Sequence, residues 1–412
     1  MPDKVVITGM GTVNPLGLSV KVSWNNAIEG MSGIAPITLF DTNDYLVNLA
    51  GEVKGFEPSQ YMQAKEARRR DRYQQMASAA ADEAIAQSGL EIAESQVGRV
   101  GVIVSSAIGG LKSIAENIDT LLSKGPRRVS PFVIPMLMAN GAAGLIGIDT
   151  GIKGPAMSVA SACASGIDGI GLAWMMLRSG MIDAALTGAS ESTITETGIA
   201  AFDRIGALSR RNDDYTTTPA PFDKNRDGLV MGEGAGILVL ERESHAIGRS
   251  ANILAELAGY ASTADAFHIT APSTEGAGAA AAISQALATA QINPDEVDYI
   301  SAHGTATQLN DASETKALKA ALGQHAYDTA ISSTKSMTGH MMGATGALET
   351  IFCVKAIREN TLPPTIHYET PDPVCDLDYV PNQAREKKVA VAISNAFGFG
   401  GHNSVLVVKE YR

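Results

Sequence analysis

Short strand-like runs alternate with helical segments along nearly the whole chain, and few folds accommodate that order. The first half contains "KVVITGMG", "DRYQQMASAAADEAIAQSG", "RVGVIVSSAIGG", "AMSVASACASGIDGIGLAWMMLRSG" and "DAALTGASES". In the second of these segments apolar residues recur at helical spacing, Asp71 is a candidate N-cap and Gly89 a candidate C-terminal residue. The pattern predicts an α/β protein.

The later half repeats this rhythm, from "ILAELAGYAS" to "KVAVAISNAFGFGGHN". A chain of 412 residues exceeds the usual size of one core. We therefore interpret it as two halves, residues 1–250 and 251–412, with the boundary after the strand-like "GILVLER". Duplication is a hypothesis that follows from the order of the elements.

Composition excludes several classes of protein. Three cysteines with no C-x-x-C argue against a disulfide framework or a cysteine zinc site, no H-E-x-x-H occurs, and we expect no metal. The start "MPDKVVITGMG" has no apolar region typical of a signal peptide, and no run reaches the length of a membrane span. The net charge of −12 disfavours nucleic-acid binding. We expect a cytoplasmic protein that binds neither nucleic acid nor membrane.

Two clusters of cations stand out against this acidic background. "KEARRRDR" includes Lys65, Arg68 and Arg69, and "KGPRR" includes Arg127 and Arg128. Such a run is usually a solvated face. It is also what docking of an acidic partner would require, because the local field steers encounter. The sequence leaves both interpretations open.

Cys163 lies among small residues in "SVASACASGIDGIG", where a strand is predicted to turn into a helix. A free cysteine is often a buried hydrophobe, so packing is one interpretation. If the strand ends near Ser161, Cys163 falls in the first helical turn, where backbone N–H groups and the helix dipole favour a thiolate nucleophile. The following glycines allow neighbouring backbone to approach closely.

Three further segments contain residue types suited to catalysis. His303 follows a strand in "SAHGTATQLND", and Lys335 and His340 lie in the small-residue turn "SSTKSMTGHMMGATG". A lone histidine is more often structural than catalytic, but two histidines and a lysine in such turns favour chemistry. In "SNAFGFGGHN" the glycines around Phe399 would let backbone N–H groups face an oxyanion, and the aromatic side chain is either a core plug or a gate.

Other enzyme classes fit these residues poorly. "GMGTVNPLG" does not have the spacing of a dinucleotide site, and "GEGAG" runs into a strand. Ser332 and Lys335 form S-x-x-K without the K-T-G of penicilloyl-type serine enzymes. His303 and Asn310 match the coarse spacing of papain-like proteases from Cys163, but the local papain signature and fold pattern are missing.

Together these segments resemble the beta-ketoacyl-acyl-carrier-protein synthases of the thiolase superfamily, most closely the elongating type II branch. The resemblance extends from "VVITGMGTVNPLG" through "PFDKNRDGLVMGEGAG", "AHGTAT" and "STKSMTGHMMGATGA" to "NAFGFGGHN". It implies a five-layered α-β-α-β-α fold and a homodimer. It also implies a decarboxylating Claisen condensation between an acyl group and malonyl-acyl carrier protein, with substrates carried on the phosphopantetheine of that protein and no other cofactor.

The resemblance also implies roles for individual residues. Cys163 would carry the acyl group, His303 and His340 would assist decarboxylation, and the N–H groups of Cys163 and Phe399 would form the oxyanion hole. Lys335 and Glu349 would be supporting charges, and Phe399 would also be a gate. Ile108 and Phe202 match acyl-pocket positions, while Thr270, Thr305 and Thr307 match contacts to the phosphopantetheine arm. The five cations Lys65, Arg68, Arg69, Arg127 and Arg128 would dock the acidic carrier protein.

The sequence departs from the family at a few positions. Ala306, Gln308 and Asn310 stand where many relatives show "HGTSTPxGD", and His402 stands where "GGTN" is common. The second histidine argues against the initiating Cys-His-Asn branch, and the C-terminal loop has no second cysteine of the thiolase type. A polyketide condensing enzyme and a non-catalytic scaffold subunit remain alternatives.

Overall fold

The computed structural model describes residues 3–412. Its strands are β1 Val5–Val13, β2 Ala35–Pro36, β3 Leu49–Ala50, β4 Val100–Ser105, β5 Ala156–Met157, β6 Ala184–Glu191, β7 Gly234–Arg242, β8 Ala255–Ala264, β9 Tyr299–Ser301, β10 Ala330–Ser332, β11 Thr361–Leu362, β12 Arg385–Glu386, β13 Val391–Gly398 and β14 His402–Lys409. Its helices are α1 Val20–Ile28, α2 Ala64–Ala67, α3 Arg72–Ser88, α4 Leu111–Lys124, α5 Val133–Leu137, α6 Gly141–Thr150, α7 Ser165–Arg178, α8 Glu196–Ile205, α9 Glu243–Gly248, α10 Ala277–Ala290, α11 Gln308–Leu322, α12 Lys335–Thr338 and α13 Thr345–Glu359. The predicted α/β alternation is confirmed.

Ten strands form one sheet in the order β10-β9-β13-β14-β8-β1-β7-β6-β4-β5. Each side of the β8-β1 junction repeats one pattern. Three outer strands are parallel, and the two inner strands pair antiparallel. The junction itself is short, with Val6 opposite Glu256 and Ile7 opposite Ala255. This internal symmetry is what a duplicated element order predicts.

Helices cover both faces of the sheet and fill its middle. On one outer face α3 packs against β1 and β7, and on the other α10 packs against β8 and β14. Between the two halves of the sheet, α7 and α13 pack against each other and share one buried apolar cluster. These layers are the five-layered α-β-α-β-α arrangement of the thiolase-like fold. The domain division at residue 250 stays a prediction, because the two halves share this central core.

Local sequence signals explain how two helices are held in place. Asp71 caps α3 in a capping box with Gln74, and α3 ends at Gly89 with φ +59°, as predicted. In α7, a Cβ at Gly166 would lie 2.5 Å from the carbonyl oxygen of Gly343, next to the start of α13. Only glycine permits this approach, which brings the N-terminal ends of α7 and α13 together.

Candidate active site

Cys163 lies in a tight turn directly before α7. Ala162 has φ +51°, an unusual conformation for a residue with a side chain. The N–H groups of Ala164 and Ser165 donate to the carbonyl oxygens of Ser161 and Ala162, each at 3.1 Å. The prediction of a first-turn position is wrong by two residues, because this turn intervenes before Ser165 begins the helix. The turn holds the thiol at the end of α7.

Burial dominates the chemistry of that thiol. It raises the pKa of Cys163 to about 11, although the backbone N–H of Phe399, the Lys335 cation and the N–H of Cys163 itself act in the opposite direction. The prediction that the helix end favours a thiolate is therefore wrong for the free protein, because desolvation exceeds the favourable contributions. Phe399 and Cys163 nevertheless direct their N–H groups toward the sulfur.

Gly398 brings that second N–H into position. A Cβ at Gly398 would lie 2.9 Å from the carbonyl oxygen of Ser161 and 3.0 Å from the backbone nitrogen of Cys163. Glycine thus allows the end of β13 to lie directly against the turn that holds the thiol. The short helical turn Phe399–Gly401 then leads into β14.

His303 is fixed through its backbone by a buried carboxylate. The N–H groups of His303 and Gly304 donate to the two oxygens of Glu314, both at 2.8 Å, and Asn395 Nδ2 donates to one of them at 3.2 Å. Glu314 was not among the predicted site residues, because its position in "SETKAL" resembles that of an ordinary helical carboxylate. Its signal is full burial against the loop that follows β9, which the sequence does not show.

His340 presents a free nitrogen to the same region. Its backbone N–H donates to the carbonyl oxygen of Val230 at 2.7 Å, and its Nδ1 lies 3.0 Å from Thr345 Oγ1. Among residues 3–412, Nε2 of His340 has no hydrogen-bond partner although it is buried. The rings of His303 and His340 lie edge to face with centroids 5.3 Å apart. The two imidazoles therefore act on one small volume.

A buried ion pair lies behind the histidines. Lys335 Nζ donates to Glu349 Oε1 at 2.7 Å, and both side chains are 1% exposed. Burial, followed by the Lys335 cation, lowers the pKa of both His303 and His340 well below 6.5. Burial also raises the pKa of Glu349 to about 7, against the effect of Lys335. Both imidazoles are consequently neutral at pH 7.

Cys163, His303 and His340 line one cavity of about 80 Å³. Its other lining residues include Phe202, Thr270, Thr305, Thr307, Asn310 and Phe399. An outer cavity of about 270 Å³ shares Thr270, Thr307 and Phe399 with it. Phe399 stacks on Phe202 with ring centroids 6.1 Å apart. The aromatic pair thus lies where the inner and outer cavities meet.

Comparison with known proteins assigns the family. The model of the beta-ketoacyl synthase N-terminal domain matches residues 2–246, and that of the beta-ketoacyl synthase C-terminal domain matches residues 254–369. The chain belongs to the beta-ketoacyl synthase family. It is 48% identical to 3-oxoacyl-[acyl-carrier-protein] synthase 2 of Synechocystis sp., over 99% of this chain and 98% of that protein. It is 49% identical to the protein of the same name from Staphylococcus aureus strain COL, with the same coverage.

Solved structures agree with this family and fold. The ishigamide ketosynthase/chain length factor matches with a TM-score of 0.93 and 36% identity over 100% of both chains. A structure described as a type II PKS acyl-carrier protein in complex with its ketosynthase bound to the hexaketide matches with a TM-score of 0.91 and 35% identity, also over 100% of both chains. The beta-ketoacyl synthase fold therefore extends over the whole chain.

One predicted pocket residue of this beta-ketoacyl synthase lies elsewhere. Ile108 does not line the cavity of Cys163, and its side chain is 38% exposed in the single chain. The turn before it is held by Glu191, which accepts hydrogen bonds from Ser106 Oγ at 2.7 Å and from the N–H of Ala107 at 2.8 Å. The acyl-pocket role of Ile108 therefore stays a prediction, since the single chain leaves its side chain outside this cavity.

The predicted docking cations divide into free and paired groups. Lys65, Arg68, Arg127 and Arg128 are exposed, and none of them forms an ion pair among residues 3–412. Arg69 lies 3.4 Å from Glu66 and covers the ring of Phe132 at 4.8 Å. That contact places α2 beside the segment after Pro126–Arg128. The neighbours Arg70 and Arg72 of the same run are structural, since they pair with Asp149 and Glu233.

Proposed function

We propose that this condensing acyltransferase joins an acyl group held on Cys163 to malonyl-acyl carrier protein, and releases 3-oxoacyl-acyl carrier protein and CO2 in fatty-acid elongation. The observation that carries the proposal is one small cavity with a thiol facing two N–H groups and two neutral imidazoles. This set of groups supports covalent catalysis and enolate stabilisation at one place.

In the first step, Cys163 sulfur attacks the carbonyl of the acyl thioester. The oxyanion that forms accepts hydrogen bonds from the N–H groups of Cys163 and Phe399. The carbon–sulfur bond to the carrier then breaks, and the proton of Cys163 leaves with the carrier thiol. Because burial keeps the thiol protonated in the free protein, attack and proton loss accompany substrate binding.

In the second step, the malonyl thioester loses CO2. The bond to the carboxylate breaks, and its electron pair moves to the thioester oxygen as an enolate. Thr345 Oγ1 lies 3.0 Å from Nδ1 of His340, and this step uses the tautomer in which the hydroxyl donates to Nδ1 and the unpartnered Nε2 carries the proton toward that oxygen. Because His303 and His340 are neutral, they stabilise the enolate without forming an ion pair with the malonyl carboxylate, which must leave as CO2.

In the third step, the enolate carbon attacks the acyl carbonyl on Cys163. A carbon–carbon bond forms, and the same two N–H groups hold the new oxyanion. The bond to Cys163 sulfur then breaks, and the thiolate takes a proton from solvent. One proton is consumed per turnover because the malonyl carboxylate leaves as CO2.

The substrates arrive on the phosphopantetheine arm of acyl carrier protein, and no other cofactor takes part. Thr270, Thr305 and Thr307 contact this arm between the outer and inner cavities, and Phe399 moves against Phe202 to admit it. Lys65, Arg68, Arg127 and Arg128 bind acidic groups of the carrier, and Arg69 supports them. The type II PKS structure joins a ketosynthase to its own acyl-carrier protein, which supports this partner.

The chain acts as a homodimer through the β5 edge of the sheet. Met157 on β5 is 36% exposed, and Ile134, Met138 and Ile148 on or beside α5 and α6 are also exposed. An uncovered strand edge with apolar neighbours favours pairing with a second copy.

No helix among residues 3–412 is long and apolar enough to span a membrane. Three free cysteines suit a reducing cytoplasm.

A polyketide condensing enzyme would use the same chemistry. The 48–49% identity to the 3-oxoacyl-[acyl-carrier-protein] synthase 2 proteins exceeds the 35% identity to the ketosynthase of the type II PKS structure, which favours fatty-acid elongation. A scaffold subunit would have no use for a thiol facing two N–H groups in the same cavity as neutral imidazoles.

Intact-mass spectrometry after incubation with an acyl carrier thioester tests the proposal. The wild-type chain gains one acyl mass, Cys163→Ala gains none, and the control Cys375→Ala retains the gain because Cys375 lies outside the cavity. Addition of malonyl carrier protein then removes the acyl mass and releases CO2. Acylation of the Cys163→Ala variant, or no acylation of wild type, would contradict the function.

A further inference from the structure

Asn310 is a polar residue of the inner cavity to which the reaction steps above assign no role. It is the third residue of α11, and its backbone N–H donates to the N-cap hydroxyl of Thr307 at 3.3 Å. Its side chain is 9% exposed and lines the cavity that contains Cys163.

A neighbouring carboxylate fixes the orientation of the amide. Asn310 Nδ2 donates to Asp311 Oδ1 at 3.1 Å. Asp311 is fully buried, accepts the N–H of Phe222 at 2.7 Å and lies 3.7 Å from Arg226 Nε. Since a carboxylate accepts hydrogen bonds, the nitrogen of Asn310 must face it. Oδ1 of Asn310 is left over, and no donor among residues 3–412 reaches it.

The surroundings of that oxygen select the chemistry of its partner. Thr305 Oγ1 and Thr307 Oγ1 lie 3.1 Å apart on the same cavity wall, so one hydroxyl donates to the other and the second keeps its proton for a ligand. Asp265 also lines the cavity, so an anionic group would meet carboxylate and amide oxygens there. A secondary amide offers both an N–H for Asn310 and a carbonyl for a threonine hydroxyl.

We propose that Asn310 Oδ1 accepts a hydrogen bond from a secondary amide N–H of the thioester-bearing arm and makes this enzyme selective for amide-containing thioesters. The inference rests on the proposed function, because it needs a substrate arm that enters toward Cys163. Asn310 is a binding residue for that arm and takes no part in bond formation.

The test compares two acyl donors in single-turnover acylation of Cys163. One is an acyl-pantetheine, which contains amides, and the other is the matching S-ethyl thioester, which contains none. Asn310→Gly removes the side chain, Asn310→Leu retains its bulk without an acceptor, and exposed Asn43→Gly is the matched control. Thermal unfolding of each variant verifies that it is folded.

Loss of one hydrogen bond is expected to lower kcat/KM for acyl-pantetheine about 3- to 10-fold in both Asn310 variants. Reaction of the Asn310 variants with the S-ethyl thioester, and of the Asn43→Gly variant with either donor, should stay within about twofold of wild type, since neither loses a hydrogen bond between the Asn310 acceptor and the substrate. Equal losses with both donors, a loss only in Asn310→Leu, or no loss at all would overturn the inference. Failure of wild type to be acylated by either donor would instead overturn the proposed function.

Discussion

Helices α7 and α13 hold equivalent positions in the two halves of the fold but present different groups at their N-terminal ends. The turn before α7 positions Cys163 through the unusual φ of Ala162. The turn before α13 positions His340, and Thr345, the first residue of α13, fixes its ring. One repeated scaffold thus supplies a nucleophile from one half and proton donors from the other.

The two helix ends also differ in how their electrostatics are set. At α7 the backbone N–H groups and the Lys335 cation both favour a thiolate, but burial outweighs them and keeps the thiol neutral. At α13 the nearby charge is Lys335, which together with burial keeps the imidazoles neutral. Both halves thus hold their reacting groups, the thiol and the two imidazoles, uncharged in the free protein. Charge develops only in the presence of substrate, next to donors that are already in place.

Removing one imidazole should have the largest effect and should distinguish the catalytic roles of the two halves of the fold. His303→Ala and His340→Ala are expected to lower condensation about 100- to 10,000-fold, because the enolate loses a positioned donor. Acyl transfer to Cys163 should survive in part, since its oxyanion donors belong to Cys163 and Phe399. Mass spectrometry of quenched samples measures acyl transfer to Cys163, and a CO2-release assay measures decarboxylation. Equal loss of both would mean that the halves do not divide the chemistry.

A methyl group at Gly398 should disturb the nucleophile from the other half of the chain. Gly398→Ala places Cβ 2.9 Å from Ser161 oxygen and 3.0 Å from Cys163 nitrogen, so the turn or the Phe399 N–H must shift. A misplaced oxyanion donor is expected to slow acyl transfer about 10- to 100-fold. Gly248→Ala, where no atom lies within 4 Å of the added carbon, is the control. Normal acylation of Gly398→Ala would show that this contact does not position the sulfur.

Reversing the exposed cations should affect both half-reactions alike, since both require a carrier substrate. Arg127→Glu with Arg128→Glu is expected to raise KM for acyl carrier protein about tenfold, and more weakly at high salt. Activity with a small thioester should persist. Lys388→Glu, an exposed lysine of the other half, is the control. Equal losses with carrier and small thioester would remove the docking interpretation.

Much of the site could be predicted because its residues lie in contiguous motifs. Cys163, His303, Lys335 and His340 each occupy a small-residue turn next to a strand or helix, and that local pattern is visible in sequence. Glu314 was missed because its role depends on burial against the loop after β9, a contact between distant parts of the fold.

What a local sequence pattern does not show is how the rest of the fold surrounds a residue. The thiolate prediction used the local helix end, whereas burial, a property of the whole fold, decides the pKa of Cys163. Within the cation run "KEARRRDR", Arg70 and Arg72 pair with the distant residues Asp149 and Glu233, and the run by itself does not show those partners. Ile108 follows the same rule, because a motif gives its position along the chain and not what covers it.

The smallest expected effect concerns the pH dependence of decarboxylation. Because the pKa of His303 and His340 lies well below 6.5, the neutral rings persist as pH falls through 6.5. CO2 release should therefore stay flat there and decline only at lower pH, where an imidazolium would stabilise the malonyl carboxylate against loss. The measurement is the rate of CO2 release between pH 5 and pH 8. A decline centred at pH 6.5 would contradict neutral imidazoles of this kind.

Removing the buried ion pair of Lys335 and Glu349 should shift the acid-side decline of CO2 release to higher pH. Lys335 disfavours the imidazolium by charge repulsion, so its loss lets the rings protonate at higher pH. Lys335→Met combined with Glu349→Gln, which avoids an unpaired buried carboxylate, should shift the acid limb upward. Lys316→Met with Glu275→Gln removes an exposed pair as the control. An unshifted limb would mean that burial alone keeps the imidazoles neutral, and the electrostatic difference between the two helix ends would then disappear.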